Sequence, residues 1–142
     1  MNALEFRENL ESGDLARCTA AAAAALQVGD GAIDAAAVLV TDHGRSRNTR
    51  FWSLEALGQF SERRPSRIAA AVVPALADQD AGVRAVALQI LARMRPREAV
   101  EAITQLLGDT TRDPTDWSDA PRSIGDAAQE ALSAIEQSKA DA

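Results

Sequence analysis

The feature that most constrains this 142-residue chain is a segment that returns 34 positions later. Thr49-Arg-Phe-Trp-Ser-Leu-Glu-Ala-Leu-Gly-Gln-Phe60 aligns with Val83-Arg-Ala-Val-Ala-Leu-Gln-Ile-Leu-Ala-Arg-Met94, so Arg50 falls on Arg84, Leu54 on Leu88, Leu57 on Leu91 and Phe60 on Met94. A third copy, Ile124 to Ile135, lies 41 positions further on, with seven extra residues before it. A fourth, Arg17 to Val28, is blurred by its run of alanines. Self-similarity at such a period marks stacked supersecondary units, each unable to bury its apolar side alone.

Each copy has the i, i+3, i+4, i+7 spacing of a one-sided helix. In the clearest, Val83, Val86, Ala87, Ile90, Leu91 and Met94 line one face, with Arg84, Gln89 and Arg93 outside it. A helical stretch precedes each copy: Leu4 to Leu10, Ala32 to Val40, Ile68 to Ala77 and Ala99 to Leu107. Between the two members stand turn and capping residues, Ser12-Gly13-Asp14, Asp42-His43-Gly44, Asp78-Gln79-Asp80 and Gly108-Asp109. Alanine dominates the 46% hydrophobic content, aromatics reach 4% and Tyr is absent. That composition favours helix throughout and lets helices approach closely. The expectation is a single all-α domain of about four helical hairpins, eight helices, with repeats near 2–28, 30–60, 65–94 and 96–138.

Val72-Val-Pro-Ala-Leu-Ala-Asp-Gln-Asp-Ala-Gly-Val-Arg-Ala-Val-Ala-Leu-Gln-Ile-Leu91 resembles a HEAT repeat, in the short variety first named for phycobilisome lyases. Pro74 in the first helix, Asp78 and Asp80 in the turn and Val83-Arg84 opening the second helix match that pattern, and Glu55-Ala-Leu-Gly58 repeats its second-helix ending. The resemblance implies a right-handed α-α superhelix, a HEAT-like solenoid whose second helices line a concave partner-gripping surface. Gly125 stands where the family has Arg, which implies that the polar ladder between repeats ends there, as suits a terminal repeat.

The formal charge of −6 is unevenly spread, and 14 of the 15 cations are Arg. Residues 1–42 carry 2 cations and 7 anions, 43–97 carry 10 and 4, and 98–142 carry 3 and 10, a basic waist between acidic ends. Net acidity argues against a dedicated nucleic-acid binder. Cys18, the single cysteine, excludes an internal disulfide and a multi-thiolate metal site. The apolar run Leu15 to Val28 follows Glu5, Glu8, Glu11 and Asp14 where a secretory signal would be positive, and no stretch is apolar enough to span a membrane. A cytoplasmic location is expected. His43 sits alone in a turn beside Asp42, with no nucleophile in view. No phosphate loop, GxSxG or HExxH is present, so neither a catalytic residue nor a cofactor is expected.

Second-helix positions outside the core face are the candidates for contact: Phe51, Glu55 and Gln59, then Ala85, Gln89 and Arg93. Arg45, Arg47 and Arg50 lie at the start of one second helix, while Arg63, Arg64 and Arg67 bridge to the next pair. Such an arginine-rich waist suits an acidic segment of another protein. The competing reading makes Arg50 and Arg84 structural, bonded to turn carboxylates. Phe51 is an outward anchor candidate, whereas Trp52 falls on a core position. The insertion Gly108 to Ser123 carries Trp117 and the acids Asp109, Asp113, Asp116 and Asp119, whose spacing fails that of a calcium loop. The partner-binding set is therefore Arg47, Arg50, Phe51, Glu55, Gln59, Arg84, Gln89, Arg93 and Trp117, with no metal ligands. The expected function is a non-catalytic scaffold, adaptor or immunity-type inhibitor that binds protein. The alternatives are a tetrapyrrole-handling subunit of the lyase type and, behind it, a HEAT-like DNA binder.

Overall fold

The computed structural model describes residues 1–140, and its regular structure is helical. The helices are α1 (Ala3–Glu11), α2 (Leu15–Val28), α3 (Asp30–Leu39), α4 (Arg47–Gly58), α5 (Pro65–Val72), α6 (Ala81–Met94), α7 (Val100–Thr104) and α8 (Ile124–Ala140). Among the described residues the only β pairing is an isolated bridge between Arg112 and Ser123.

Local chemistry sets most of the helix starts. Asn2, Asp14, Ser46 and Asp80 hold extended backbone and accept from the N–H of Glu5, Arg17, Thr49 and Val83, which would otherwise lack partners. Pro65 opens α5 at a position where a missing N–H does no harm. Gly29, at φ 87°, ends α2 and begins α3 with no linker, a backbone conformation that side-chain-bearing residues rarely adopt.

Consecutive helices pack as hairpins, α1 on α2, α3 on α4, and α7 on α8. The second members touch in order, α2 to α4, α4 to α6 and α6 to α8, while α1 packs on α3 and α3 on α5. Between these two layers lie fully buried Phe6, Leu10, Ile33, Leu54, Leu57, Ile68, Leu88, Leu91, Ile103 and Ile124. Small residues set the close approaches. A Cβ on Gly58 would lie 3.0 Å from Cδ1 of Ile90, so α4 and α6 meet almost backbone to side chain.

Two first helices are shorter than the periodicity predicts. α5 tightens at Val73–Ala77 into a 3-10 segment, because Pro74 has no N–H to give and its ring crowds the preceding turn. The stretch expected to run to Leu107 is a 3-10 turn, Arg97–Ala99, then α7 of only five residues. Beyond it the N–H groups of Leu106, Leu107 and Asp109 donate three residues back, winding the chain into tight turns. These turns press on α8. A Cβ on Gly125 would sit 2.5 Å from the Leu107 carbonyl oxygen, while Gly125 N–H donates to Asp109 O at 2.8 Å. No arginine fits there.

Candidate functional site

Arg50 and Arg84 leave the binding surface. Arg50 is 3% exposed; its Nε and Nη2 donate to the two oxygens of Asp78 at 2.8 and 3.1 Å, and its Nη1 to Arg45 O at 2.9 Å. Arg84 donates through Nη1 to the carbonyls of Asp78 and Gln79 at 2.8 and 3.0 Å, and its Nε lies 3.2 Å from Asp109 Oδ2. Each guanidinium, in the first turn of a second helix, ties its own turn to the carboxylate of the following one. Their candidacy as partner contacts is corrected: both are spent on joining hairpins. Burial alone pushes the Asp78 carboxyl up, but hydrogen bonds from Arg50 and the Asp80 N–H outweigh it and hold the pKa below the usual value.

The basic waist does not gather into a patch either. Arg45 pairs with Glu11 at 2.9 Å, Arg64 with Asp30 at 2.8 Å, Arg67 with Asp34, and Arg47 with Asp80 at 3.4 Å. Partners come from adjoining hairpins, so the acids of one repeat neutralise the arginines of its neighbour. Arg47 also lies 4.2 Å above the Phe51 ring, which is itself half-buried and edge-on to Trp52. Phe51 is thereby capped rather than presented. Ala85, read as outward, is fully buried, because α6 is flanked by α4 and α8 and covered beneath by the first layer.

Three of the candidate residues do converge. Glu55 of α4 and Gln89 and Arg93 of α6 line a groove of about 700 Å³ that runs across α4, α6 and α8. Val86 and Ile90 form its floor, and Gly58, Ala92 and Ala134 keep its walls low. Arg95 and Glu130 complete the rim. Arg95 takes the left-handed conformation, φ 58°, that terminates α6. Glu55 is half-buried and accepts no hydrogen bond from a described residue. Burial pushes its carboxyl pKa up, and the charge of Arg93 offsets this only in part. Gln59, one turn beyond Glu55, turns away to donate to Ala22 O of α2 at 2.5 Å.

Sequence reasoning missed Glu130 and Arg95. Glu130 was legible in principle, since the register of the repeat puts it at the same position as Glu55 and Gln89. Arg95 was not, because its place depends on how α6 ends.

The insertion between α7 and α8 is built into the same site. Asp113 is fully buried and accepts from Thr115 N at 2.8 Å, Thr115 Oγ1 at 2.6 Å and Arg122 Nε at 3.0 Å. Asp116 accepts from the N–H of Arg122 and of Ser118 at 2.8 and 3.0 Å, and those donors, the Arg122 N–H first, hold its carboxyl at about 2. Gln89 Nε2 donates to Thr115 Oγ1 at 2.8 Å, and Arg122 pairs with Glu130, so the loop stands as a wall beside the groove. Asp109, Asp113 and Asp116 face backbone, hydroxyl and arginine donors. Among the described residues no cluster of three or more His, Cys, Asp or Glu is disposed to hold a metal ion. Trp117 projects from the braced loop, 93% exposed.

Cys18 is buried at the α1–α2 turn and His43 is exposed in the α3–α4 turn, both outside the groove lining. No helix among the described residues is long and apolar enough to cross a membrane. Neither a family model nor a curated protein matches the chain.

Proposed function

We propose that this chain is a non-catalytic protein-binding module, an adaptor or an immunity-type inhibitor of the cytoplasm, that grips an extended segment of its partner in the groove across α4, α6 and α8. The observation that carries this reading is the groove itself: it crosses three helices, has Val86 and Ile90 of α6 at its floor, and is rimmed by the charged side chains of Glu55, Arg93, Arg95 and Glu130. Such a site suits a chain segment, which brings its own backbone donors and acceptors, better than a small molecule that must be enclosed. The stacking order α2–α4–α6–α8 supports the HEAT-like, right-handed superhelical reading that belongs to this proposal.

The expectation of an acidic partner narrows to two residues. Arg93 and Arg95 line the groove and have no carboxylate within ion-pairing distance among the described residues, whereas Arg45, Arg47, Arg50, Arg64 and Arg67 are matched within the chain. The same matching weakens the DNA-binding alternative, which needs unpaired cations for phosphates. The groove lining has no thiol or imidazole with which to hold a tetrapyrrole. Trp117, on a loop braced by Asp113 and Asp116, adds an exposed aromatic side chain to the wall beside the groove.

A photo-crosslinking side chain placed at Gln89, in cells that make the protein, is expected to trap a partner. One placed at Val38, exposed on α3, is not. Filling the groove with Ala134→Trp should suppress the Gln89 adduct. Equal trapping from Val38, or trapping from Gln89 that survives Ala134→Trp, would refute the groove as the binding face.

A further inference from the structure

The most exposed large apolar side chain among the described residues sits at the tip of the insertion. Trp117, Ser118, Asp119 and Ala120 all face solvent there, and the indole is 93% exposed. Asp116 closes the neck of this tip, accepting from Ser118 N–H at 3.0 Å and from Arg122 N–H at 2.8 Å. Asp119, exposed two residues beyond the indole, meets no donor among the described residues. A covered tryptophan buries about 150–250 Å², which makes it a strong anchor for a protein contact. At this exposure Trp117 does not fill the groove of its own chain.

The groove offers the matching surface. The place a Gly58 Cβ would occupy lies 3.0 Å from Ile90 Cδ1 and 3.4 Å from Arg93 Nη2, so the apolar floor and the guanidinium adjoin there. Ala92 and Ala134 leave the space above low enough to admit a ring. The tip thus carries an indole with a free carboxylate two residues on, and the groove an apolar floor with a free guanidinium beside it. We propose that the groove is filled by a second copy of this chain, with Trp117 of each copy over Val86 and Ile90 of the other and Asp119 on Arg93. Tip and groove share one side of the molecule, since Gln89 bonds to Thr115 and Arg122 pairs with Glu130. A single two-fold axis can therefore seat both tips, the second docking being intramolecular once the first is made. Two indoles and the surface they cover come to about 600–1,000 Å², below the roughly 1,200 Å² at which interfaces become stable. The dimer is accordingly reversible, and another protein enters the groove only of the monomer. This rests on the groove being the binding face, as read above, and names what regulates it.

Sedimentation velocity of the whole protein, from about 1 μM to about 1 mM, the range of weak contacts, is expected to show a monomer giving way to a dimer. Trp117→Ala should weaken the dimer at least about tenfold. Asp119→Arg and Arg93→Glu should each weaken it about tenfold alone. An equimolar mixture of those two variants should dimerise within about threefold of the parent, because every tip then meets a groove of opposite charge. Their thermal melts should match that of the parent, since all three side chains are exposed. A photo-crosslinking side chain at Gln89 of the purified protein should give an adduct of twice the chain mass, lost in Trp117→Ala. A monomer at every concentration, a dimer indifferent to Trp117→Ala, or a mixture that fails to recover overturns the proposal. Those outcomes leave the groove reading standing, which depends on adducts with another protein in cells. Absence of both kinds of adduct overturns the groove as a binding face.

Discussion

Arg50 and Asp78 form a buried, bidentate ion pair between neighbouring hairpins, and removal of either partner strands the other in a dry site. Arg50→Ala is expected to destabilise the protein by roughly 3–5 kcal/mol, measured by denaturant unfolding. The pH dependence follows from the lowered Asp78 carboxyl. Because its folded pKa lies below the unfolded value, its contribution is complete above the unfolded value, near 3.8, and fades as pH falls through the folded one. Glu55 has the opposite sign. Its folded pKa is raised, so the ionised form burdens the native state at neutral pH, and Glu55→Gln is expected to raise the melting temperature at pH 7. That gain should vanish as pH drops below the usual glutamate value near 4.5, where both states are protonated. A variant that melts lower than the parent at pH 7 would mean that Glu55 is compensated in the fold after all. A residue that weakens the fold yet faces an open groove is better explained by binding than by stability.

Among the elements, α6 has the least freedom, with α4 and α8 on its flanks and the first layer beneath. Leu91→Ala, in its fully buried face, is expected to cost roughly 2–5 kcal/mol through the cavity it leaves. Gln89→Ala, exposed in the groove, should stay within about 0.5 kcal/mol. Reversal of that order in thermal or chemical unfolding would mean the helix faces another way. At the start of α8, Gly125→Ala is expected to destabilise by roughly 1–3 kcal/mol, since its methyl group meets the fixed Leu107 carbonyl rather than a yielding side chain. Circular dichroism melts would reveal a neutral effect if the turn can give way. The register of α4, α6 and α8 was legible in the sequence because their apolar spacing is strong and their caps are explicit. The brevity of α7 was not. Its apolar residues, Val100 to Leu107, fit a full helix, and the departure comes from turns that pack against Gly125 from far along the chain. Ala85 was misjudged for a related reason: helical spacing shows one buried stripe, but says nothing of neighbours on both flanks.

Across the whole molecule, stability is expected to behave as a sum of hairpins and the interfaces between them. Deletion of residues 96–142 uncovers the α8-facing side of α6 and should leave a product that melts at a markedly lower temperature or aggregates, as judged by light scattering and thermal unfolding. A fragment as stable as the parent would show that the last hairpin adds nothing to the stack. Counting charges along the chain suggested a cationic belt, because a one-dimensional tally cannot say which acid lies beside which arginine once hairpins are laid side by side. The matching has one more consequence. Arg64 and Arg67 meet Asp30 and Asp34 on the hairpin before their own, and Arg50 meets Asp78 on the one after. The seam between the second and third hairpins is thus pinned from both sides. A hairpin that lacked those partners, set beside the second, would strand the buried Arg50, so the order of these two units is held by the charges they share.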